Sequence, residues 1–272
     1  MEFDERRPRS EETCLCFQED HLLLREFQQG VCLPKVEELR ASFPQLAAPL
    51  LERFTWGDAR YQLHECLESF SPPPGWRWSR LRQLTSSLPT ELFALTATAF
   101  QLLHWRQTRR YCGRCGSPTV RASVERSLRC TTCGQDHFPH LAPAVILLIT
   151  RGEKLLLVRS LRHPPQLWSL VAGFVEAGES LEQAAHREAL EETGLELENL
   201  SYCYSQAWPF PSSLMVAFSA NCRGGKLRPG PDEIVEAAWF LPDRLPTTPT
   251  GLSIAGRLIA DYLQRSHRRT HE

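Results

Sequence analysis

The chain lacks both a long apolar run and an excess of charge of either sign. Its 272 residues include 31 basic and 32 acidic side chains, which gives a formal net charge of −1. Such a balance provides no general attraction for a polyanion, so the composition does not indicate a protein that coats nucleic acids. The longest apolar run, residues 142–149, is far shorter than the roughly 20 residues of a membrane-spanning helix. It predicts a buried strand, and we expect no association with a membrane.

An apolar N-terminal segment of the kind found in secretory signals is also missing. The first residues, MEFDERRPRSEE, are charged throughout. Ten cysteines in a chain without an export signal are expected to be reduced thiols or metal ligands. We therefore expect a cytoplasmic protein. Four of the cysteines fit no common zinc spacing and are expected to be small buried side chains: Cys14, Cys16, Cys32 and Cys66.

The length is sufficient for two domains, and the pattern along the chain divides it into three segments. Residues 1–110 end in TELFALTATAFQLLHWRQTRR, whose apolar spacing predicts a helix, and the prolines of SPPPGWRW predict a loop over residues 71–78. Residues 111–138 form a compact insert. In residues 139–272, apolar runs bounded by turn residues predict strands in APAVILLIT, EKLLLVRS, WSLVAGFVE and residues 200–206, 214–221 and 234–241, before a closing helix in GLSIAGRLIADYLQRSHR.

The insert contains two closely spaced pairs of cysteines. Cys112 and Cys115 are followed, after fourteen intervening residues, by Cys130 and Cys133, and a glycine follows each pair. This spacing is typical of a zinc ribbon in which four thiolates fill the tetrahedral positions of one ion. No position is left for water, so the zinc is expected to be structural and to stabilise a segment with little core. The alternative is four reduced thiols brought together without a metal.

Arginines are concentrated near this insert, at Arg106, Arg109, Arg110, Arg114 and Arg121. A zinc ribbon with such side chains can bind nucleic acid. A solvated charged face is the more common origin of the same pattern, and we prefer it.

The most informative segment is residues 173–195, GFVEAGESLEQAAHREALEETGL, which contains six carboxylates and three glycines. Glu188, Glu191 and Glu192 have the i, i+3, i+4 spacing that brings side chains to one face of a helix. Because like charges repel, this arrangement indicates a cation among them, and oxygen ligands of this kind suit Mg²⁺ or Mn²⁺. Arg187 can pair with a neighbouring carboxylate and hold the group together. A glutamate-rich surface helix would not explain the glycines at their fixed spacing.

With its spacing, this segment resembles the Nudix box, and we call residues 173–195 the box from here on. All of its fixed positions match: Gly173, Glu179, Arg187, Glu188, Glu191, Glu192, Gly194 and Leu195. The resemblance implies hydrolysis of a diphosphate linked to a further group. The box does not say which group.

A second motif narrows the substrate. Residues 205–213, SQAWPFPSS, resemble the SQPWPFPxS signature of NADH pyrophosphatases of the NudC type, with Ala207 in place of a proline. The order of the segments also resembles that family. The resemblance implies an α+β protein: a C-terminal Nudix α/β/α sandwich with a mixed sheet (139–272), preceded by the four-cysteine zinc ribbon (111–138) and a smaller N-terminal α/β domain (1–110). It also implies a homodimer.

The implied activity is metal-dependent hydrolysis of NAD⁺ or NADH to nicotinamide mononucleotide and AMP, including removal of NAD caps from RNA 5′ ends. The cofactors would be Mg²⁺ or Mn²⁺ at the catalytic site and one structural Zn²⁺ per chain. Glu188, Glu191 and Glu192 would hold the catalytic ions together with Glu236, for which an exposed strand glutamate is the alternative. Glu192 would be the residue closest to the attacking water.

The resemblance also implies residues that contact the dinucleotide. Phe174 and Phe138 would stack on the adenine, the latter often from the other subunit, because base–aromatic stacking contributes about 1–3 kcal/mol. Ala255 would make a backbone contact. Arg82 and Glu125 are weaker candidates, and a surface position is an equally good interpretation of each. The substrate loop would contain Gln206, Ala207, Trp208, Pro209, Phe210, Pro211, Ser212 and Ser213.

Three alternatives remain open. The substrate can be free NAD(H) or NAD-capped RNA, since the same bond is cut in both. It can instead be another nucleoside diphosphate derivative such as ADP-ribose or CoA, against which the WPFPSS loop argues. The chain can also be a catalytically silent binding module on a Nudix fold, but that function would be expected to accompany damaged box glutamates, and all are intact.

Overall fold

The computed structural model describes residues 13–27, 30–44, 49–85, 88–162, 164–230, 233–249 and 251–270. Contacts divide the chain into two compact units. The first contains Met1–His140 with Pro209–Ser212, and the second contains Leu141–Trp208 with Ser213–Glu272. Within the described ranges, every helix is too short or too polar to cross a membrane.

The first unit is built on a six-stranded sheet. Its strands are β1 (Thr13–Gln18), β2 (His21–Phe27), β3 (Gly30–Cys32), β4 (Leu50–Trp56), β5 (Ala59–Glu65) and β6 (Trp76–Arg80), and its helices are α1 (Val36–Ser42), α2 (Leu81–Leu84) and α3 (Thr90–Thr108). The strand order is β3-β2-β1-β5-β4, and β6 also pairs with β2. All four isolated cysteines are buried in this unit, as expected from their small apolar side chains.

The prediction of a loop over residues 71–78 is wrong at its C-terminal end. Strand β6 begins at Trp76 and pairs antiparallel with β2, so that Trp76 lies opposite Arg25. The indole of Trp76 is buried in a core cluster with Cys14, Cys16 and Leu23. The prolines lie in the loop before Trp76. From Trp76 onwards, burial of this large aromatic side chain stabilises the strand.

A small three-stranded sheet follows in the first unit. It contains β7 (Thr119–Arg121), β8 (Leu128–Cys130) and β9 (Asp136–His137), all antiparallel. It corresponds to the predicted ribbon.

The second unit contains a mixed six-stranded sheet and two helices. The strands are β10 (Ala142–Arg151), β11 (Lys154–Ser160), β12 (Val171–Phe174), β13 (Leu195–Trp208), β14 (Ser213–Gly225) and β15 (Ile234–Phe240), and the helices are α4 (Leu181–Thr193) and α5 (Ile254–Thr270). Strands β10 and β14 are parallel, and the other pairs are antiparallel. The hairpin of β13 and β14 is much longer than the two short strands expected from the sequence.

Alternate residues of β10 face two separate core clusters. Val145, Leu147 and Ile149 pack with the alanines of α4, whereas Ile146 and Leu148 pack with the apolar face of α5. This alternation is what a strand buried on both faces requires. The sheet therefore lies between two helices, and the expected α/β/α sandwich with a mixed sheet is confirmed.

Candidate active site

Helix α4, which carries the box glutamates, has well-defined ends. The hydroxyl of Ser180 accepts a hydrogen bond from the backbone N–H of Gln183, whose side chain accepts one from the N–H of Ser180. This reciprocal capping box satisfies two donors at the helix start. At the other end Gly194 adopts a left-handed conformation, with φ of 70°. The buried residues of the helix include Ala184, Ala185 and Ala189, which pack into the core, and the carboxylate-bearing Glu188.

Three of the carboxylates line one cavity of about 630 Å³ in the second unit. Its walls come from β12, from α4 and from the segment before β15. The lining residues are Arg162, Ala172, Gly173, Phe174, Glu176, Arg187, Glu188, Glu191, Glu192, Gly230, Glu233 and Ile234. The structure thus brings together Glu188, Glu191, Glu192 and Phe174, four of the residues expected from the sequence.

Gly173 lies directly against the carboxylate of Glu188. A Cβ added to this glycine would meet the Glu188 Cδ and Oε1 atoms at 1.9 Å. Any side chain at this position would displace the Glu188 carboxylate, because that approach is far inside van der Waals contact. The Glu188 side chain is 12% exposed, and burial raises its pKa while the Arg187 charge lowers it.

Arg187 holds the box together through all of its donors. Its Nε and Nη2 atoms donate to Glu179 Oε1 and Oε2 at 2.6 and 2.9 Å, and Nη2 also donates to the Phe174 carbonyl at 2.8 Å. Nη1 donates to Glu188 Oε1 at 2.9 Å and to Glu191 Oε2 at 3.0 Å. A guanidinium has five N–H donors, so none remains for a ligand. Arg187 therefore acts as a structural cation, as expected from the sequence.

The ionisation of Glu192 is strongly perturbed. Burial, followed by the charges of Glu188 and Glu233, raises its pKa to about 8. Its Oε2 atom is buried and has no hydrogen-bond partner among the described residues. A buried carboxylate oxygen without a partner is costly unless a proton or a cation compensates it.

The four cysteines of the ribbon converge on one point. Within the described part of the chain they are the one group that brings three or more metal-ligand atoms within 4.8 Å of one another. Cys112 Sγ lies 3.7 Å from Cys133 Sγ, and Cys115 Sγ lies 3.4 Å from Cys130 Sγ. A hydrogen bond from the Ser117 backbone lowers the pKa of the Cys115 thiol to about 6, which favours the thiolate.

Comparison with known proteins gives matches to all three segments of the chain. Residues 140–262 match the family model of the NUDIX domain, residues 107–138 that of the NADH pyrophosphatase zinc ribbon domain, and residues 11–105 that of the NADH pyrophosphatase-like rudimentary NUDIX domain. A NAD-capped RNA hydrolase NudC of Stutzerimonas stutzeri is 46% identical over 87% of this chain and 84% of its own length. The chain belongs to the NADH pyrophosphatase family of NUDIX hydrolases.

Other similar proteins belong to the same class. A NAD-capped RNA hydrolase NudC of Chromobacterium violaceum is 43% identical over 71% of this chain and 73% of its own length. A solved NUDIX hydrolase from Nitrosomonas europaea is 27% identical, with a TM-score of 0.48 over 60% of this chain and 93% of that one.

The family assignment confirms the enzyme class and the fold expected from the box, and the ribbon is the family's zinc ribbon. The N-terminal segment, which the sequence supported by position alone, is the family's rudimentary NUDIX domain.

The expected substrate loop, residues 206–213, forms the end of the hairpin between β13 and β14. Trp208 and Ser213 are opposite each other in the ladder, and the Phe210–Pro211 peptide bond is cis. Gln206 Nε2 donates to the Leu252 carbonyl at 2.6 Å, while its buried Oε1 has no partner in the described ranges. The Arg82 guanidinium carbon lies 4.3 Å from the centre of the Phe210 ring, so these two expected substrate contacts stack on each other. The loop also contains Ala207, Pro209, Pro211 and Ser212.

The remaining expected contacts differ in accessibility. Phe174 and Phe138 are 51% and 55% exposed, so each offers a ring face to a ligand. Glu125 is exposed in the turn between β7 and β8. Ala255 lies in the first turn of α5 and is buried in the core cluster between this helix and the sheet.

Glu236, the expected fourth metal ligand, has a different partner. It lies on β15 and pairs with Arg159, with 3.0 Å between Oε1 and Nη2. It is absent from the cavity lining among the described residues, where Glu233 and Arg162 line the wall and pair with each other. The sequence contained a signal for Glu233, since PDEIVEA holds two glutamates three residues apart. It contained none for Arg162, which lies in a loop outside both motifs.

Proposed function

We propose that this chain hydrolyses the diphosphate bond of NAD⁺ and NADH, giving nicotinamide mononucleotide and AMP, and that it removes NAD caps from RNA 5′ ends. The observation that carries the proposal is the cavity in which Glu188, Glu191 and Glu192 lie beside the exposed ring of Phe174. Carboxylates suit a diphosphate bound with divalent cations, and the ring suits a base. Two relatives that are 46% and 43% identical to this chain are named NAD-capped RNA hydrolases, which supports the choice of substrate.

The donor set fits a divalent cation. Glu192 Oε2 is buried and has no partner in the described part of the chain. A cation would offset both the burial and the repulsion by Glu188 and Glu233 that raise the pKa of Glu192. The carboxylates do not all lie within 4.8 Å of one another in the described structure, so they would have to move inward to share an ion. Mg²⁺ or Mn²⁺ would be held by Glu188, Glu191, Glu192 and Glu233, and it would neutralise the diphosphate and lower the pKa of a bound water. We assign Glu233 the role that the sequence suggested for Glu236.

Each of the main side chains of the cavity has a different role in the proposed reaction. Phe174 stacks on the adenine and fixes the dinucleotide against β12. Arg187 keeps Glu188 and Glu191 in place, since its donors are already engaged. Glu192 lies closest to the attacking water and accepts its proton, because a cation beside it would return its pKa to the range of an ionised base. Attack of the water oxygen on one phosphorus breaks the bridging P–O bond and leaves a phosphate on each nucleotide.

The other expectations are part of the same proposal. The ribbon would hold one structural Zn²⁺ through Cys112, Cys115, Cys130 and Cys133 and would take no part in the reaction. The protein would act in the cytoplasm as a homodimer. Phe138, Gln206 to Ser213, Ala255, Arg82 and Glu125 remain proposed substrate contacts.

A parallel turnover assay tests the function. NADH, NAD⁺, NAD-capped RNA and ADP-ribose are each incubated with the full chain and Mg²⁺ or Mn²⁺, and the products are separated by chromatography. We expect nicotinamide mononucleotide and AMP from the first two, and a 5′-monophosphate end from the capped RNA. Cleavage of ADP-ribose without cleavage of the other three would contradict the proposal. The absence of turnover on all four would favour a silent binding module.

A further inference from the structure

The cavity contains two arginines that differ sharply in how they are engaged. The five N–H donors of Arg187 are all taken by protein acceptors. The Arg162 side chain makes one hydrogen bond, from Nη2 to Glu233 Oε1. Four of its five donors therefore have no acceptor among the described residues. Its side chain is 66% exposed at the cavity wall, so these donors are accessible.

The charge of the cavity requires such a cation. Five of its lining residues are glutamates, at positions 176, 188, 191, 192 and 233, and a diphosphate is itself an anion. Arg187 is already neutralised by the carboxylates that it holds. Arg162 lines the same cavity as Glu188, Glu191 and Glu192, so its free donors face the place where the reaction is proposed to occur.

We propose that Arg162 binds the diphosphate of the substrate, exchanging its bond to Glu233 for bonds to the phosphate oxygens. This inference rests on the proposed function and names the group that recognises the diphosphate. A guanidinium suits the task because its planar fork can donate two parallel hydrogen bonds to one phosphate. The exchange also frees the Glu233 carboxylate, which faces the same cavity.

Two ligands, inorganic pyrophosphate and adenosine, distinguish recognition of the diphosphate by Arg162 from a general effect on the cavity. Pyrophosphate carries the diphosphate without the base, and adenosine carries the base without the phosphates. Binding of each to the full chain is measured by isothermal titration at a fixed Mg²⁺ concentration, for the wild type, Arg162→Gln and Arg162→Lys. Kinetics on NADH are measured in parallel. Arg244→Gln is the matched control, since Arg244 is also an exposed arginine paired with a carboxylate, Asp243, and is absent from the described cavity lining.

We expect Arg162→Gln to weaken pyrophosphate binding and to lower kcat/KM for NADH by about ten- to a hundredfold, the range for a lost charge-assisted contact. Adenosine binding stays unchanged, Arg162→Lys recovers part of the loss, and Arg244→Gln resembles the wild type. Unchanged pyrophosphate binding in Arg162→Gln would overturn the inference, and a fall in kcat alone would then mean that Arg162 only positions Glu233. Equal weakening of both ligands would also overturn it, because it would indicate general deformation of the cavity.

The two proposals fail separately. If the wild type does not cleave NADH, the proposed function is wrong, while the titration with pyrophosphate still decides whether Arg162 recognises a diphosphate. If the wild type cleaves NADH and Arg162→Gln does so equally well, the function stands and the role of Arg162 is wrong.

Discussion

Gly173 and Glu188 are in such close contact that a methyl group on the Gly173 Cα would lie 1.9 Å from the Glu188 carboxylate carbon. The strand that begins the box and the helix that carries its glutamates thus meet at one point. The helix contributes the carboxylate and the strand contributes the space for it. Placement of the Glu188 carboxylate therefore depends on a residue that has no side chain.

This contact predicts the effect of Gly173→Ala. The added methyl displaces the Glu188 side chain, and misplacement of a catalytic group by about 1 Å lowers kcat by about 100-fold. Steady-state kinetics on NADH measure the loss. Gly224→Ala is the matched control, since a Cβ there meets Glu196 at an ordinary 3.8 Å, and its kcat stays near the wild-type value. Wild-type kcat in Gly173→Ala would contradict the packing.

A comparison of Glu233→Gln with Glu236→Gln tests which carboxylate belongs to the site. Glu233 lines the cavity and contributes to the raised pKa of Glu192, whereas Glu236 is paired with Arg159. We expect Glu233→Gln to lower kcat strongly and to shift its dependence on Mg²⁺ to higher concentration. Glu236→Gln has a much smaller effect on both. The reverse ranking would restore the assignment made from the sequence.

The sequence alone does not choose between these two glutamates. The box predicted its own helix because glycines, glutamates and an arginine recur at fixed spacing along one element. Glu233 and Glu236 are close along the chain but belong to a region where the ladder of β11 and β15 shifts register, between Arg159 and Ser160. A register shift changes which residues face the cavity, and it depends on pairing with a distant strand. The position of Arg162 also depends on this distant pairing, because the N–H of the preceding Leu161 donates a hydrogen bond to the Glu233 carbonyl at 3.0 Å.

Trp76 illustrates the same limit in the fold. The three consecutive prolines before Trp76 were correctly predicted to lie in a loop. The strand β6 that starts shortly after them depends on pairing with β2, which the local sequence does not reveal. The continuous apolar run of β10, by contrast, predicted a buried strand from local pattern alone, and both faces of this strand are covered by helices of the same unit.

Glu179 predicts an acid-dependent contribution to stability. The Arg187 guanidinium, aided by the Glu176 backbone N–H, lowers the pKa of Glu179 from 4.5 to about 2. A lowered folded-state pKa gives stability that is fully present above pH 4.5 and is lost as the pH falls towards 2. The difference in unfolding free energy between the wild type and Glu179→Gln, from urea denaturation, should therefore shrink below pH 4.5. A difference independent of pH would contradict the ion pair.

Removal of the zinc ion from the ribbon is expected to lower the stability of the fold rather than to act on the catalytic step directly. We expect one Zn²⁺ per chain by elemental analysis, lost in Cys130→Ser and retained in Cys203→Ser, since Cys203 lies outside the cluster. Structural zinc contributes directly to folding, so the melting temperature of Cys130→Ser falls. Full zinc content in that variant would argue against the four-thiolate site.

The most direct test of the account is turnover of NADH by Glu192→Gln in the full chain with Mg²⁺. Glutamine keeps the size of the side chain but removes the charge and the proton acceptor, so kcat falls by at least about 10²–10⁴-fold. Zinc content and thermal melting stay at the wild-type values, and Glu198→Gln, an exposed glutamate on β13, keeps full activity. Near-normal kcat in Glu192→Gln would show that the chemistry takes place without the box glutamate on which the proposed site depends.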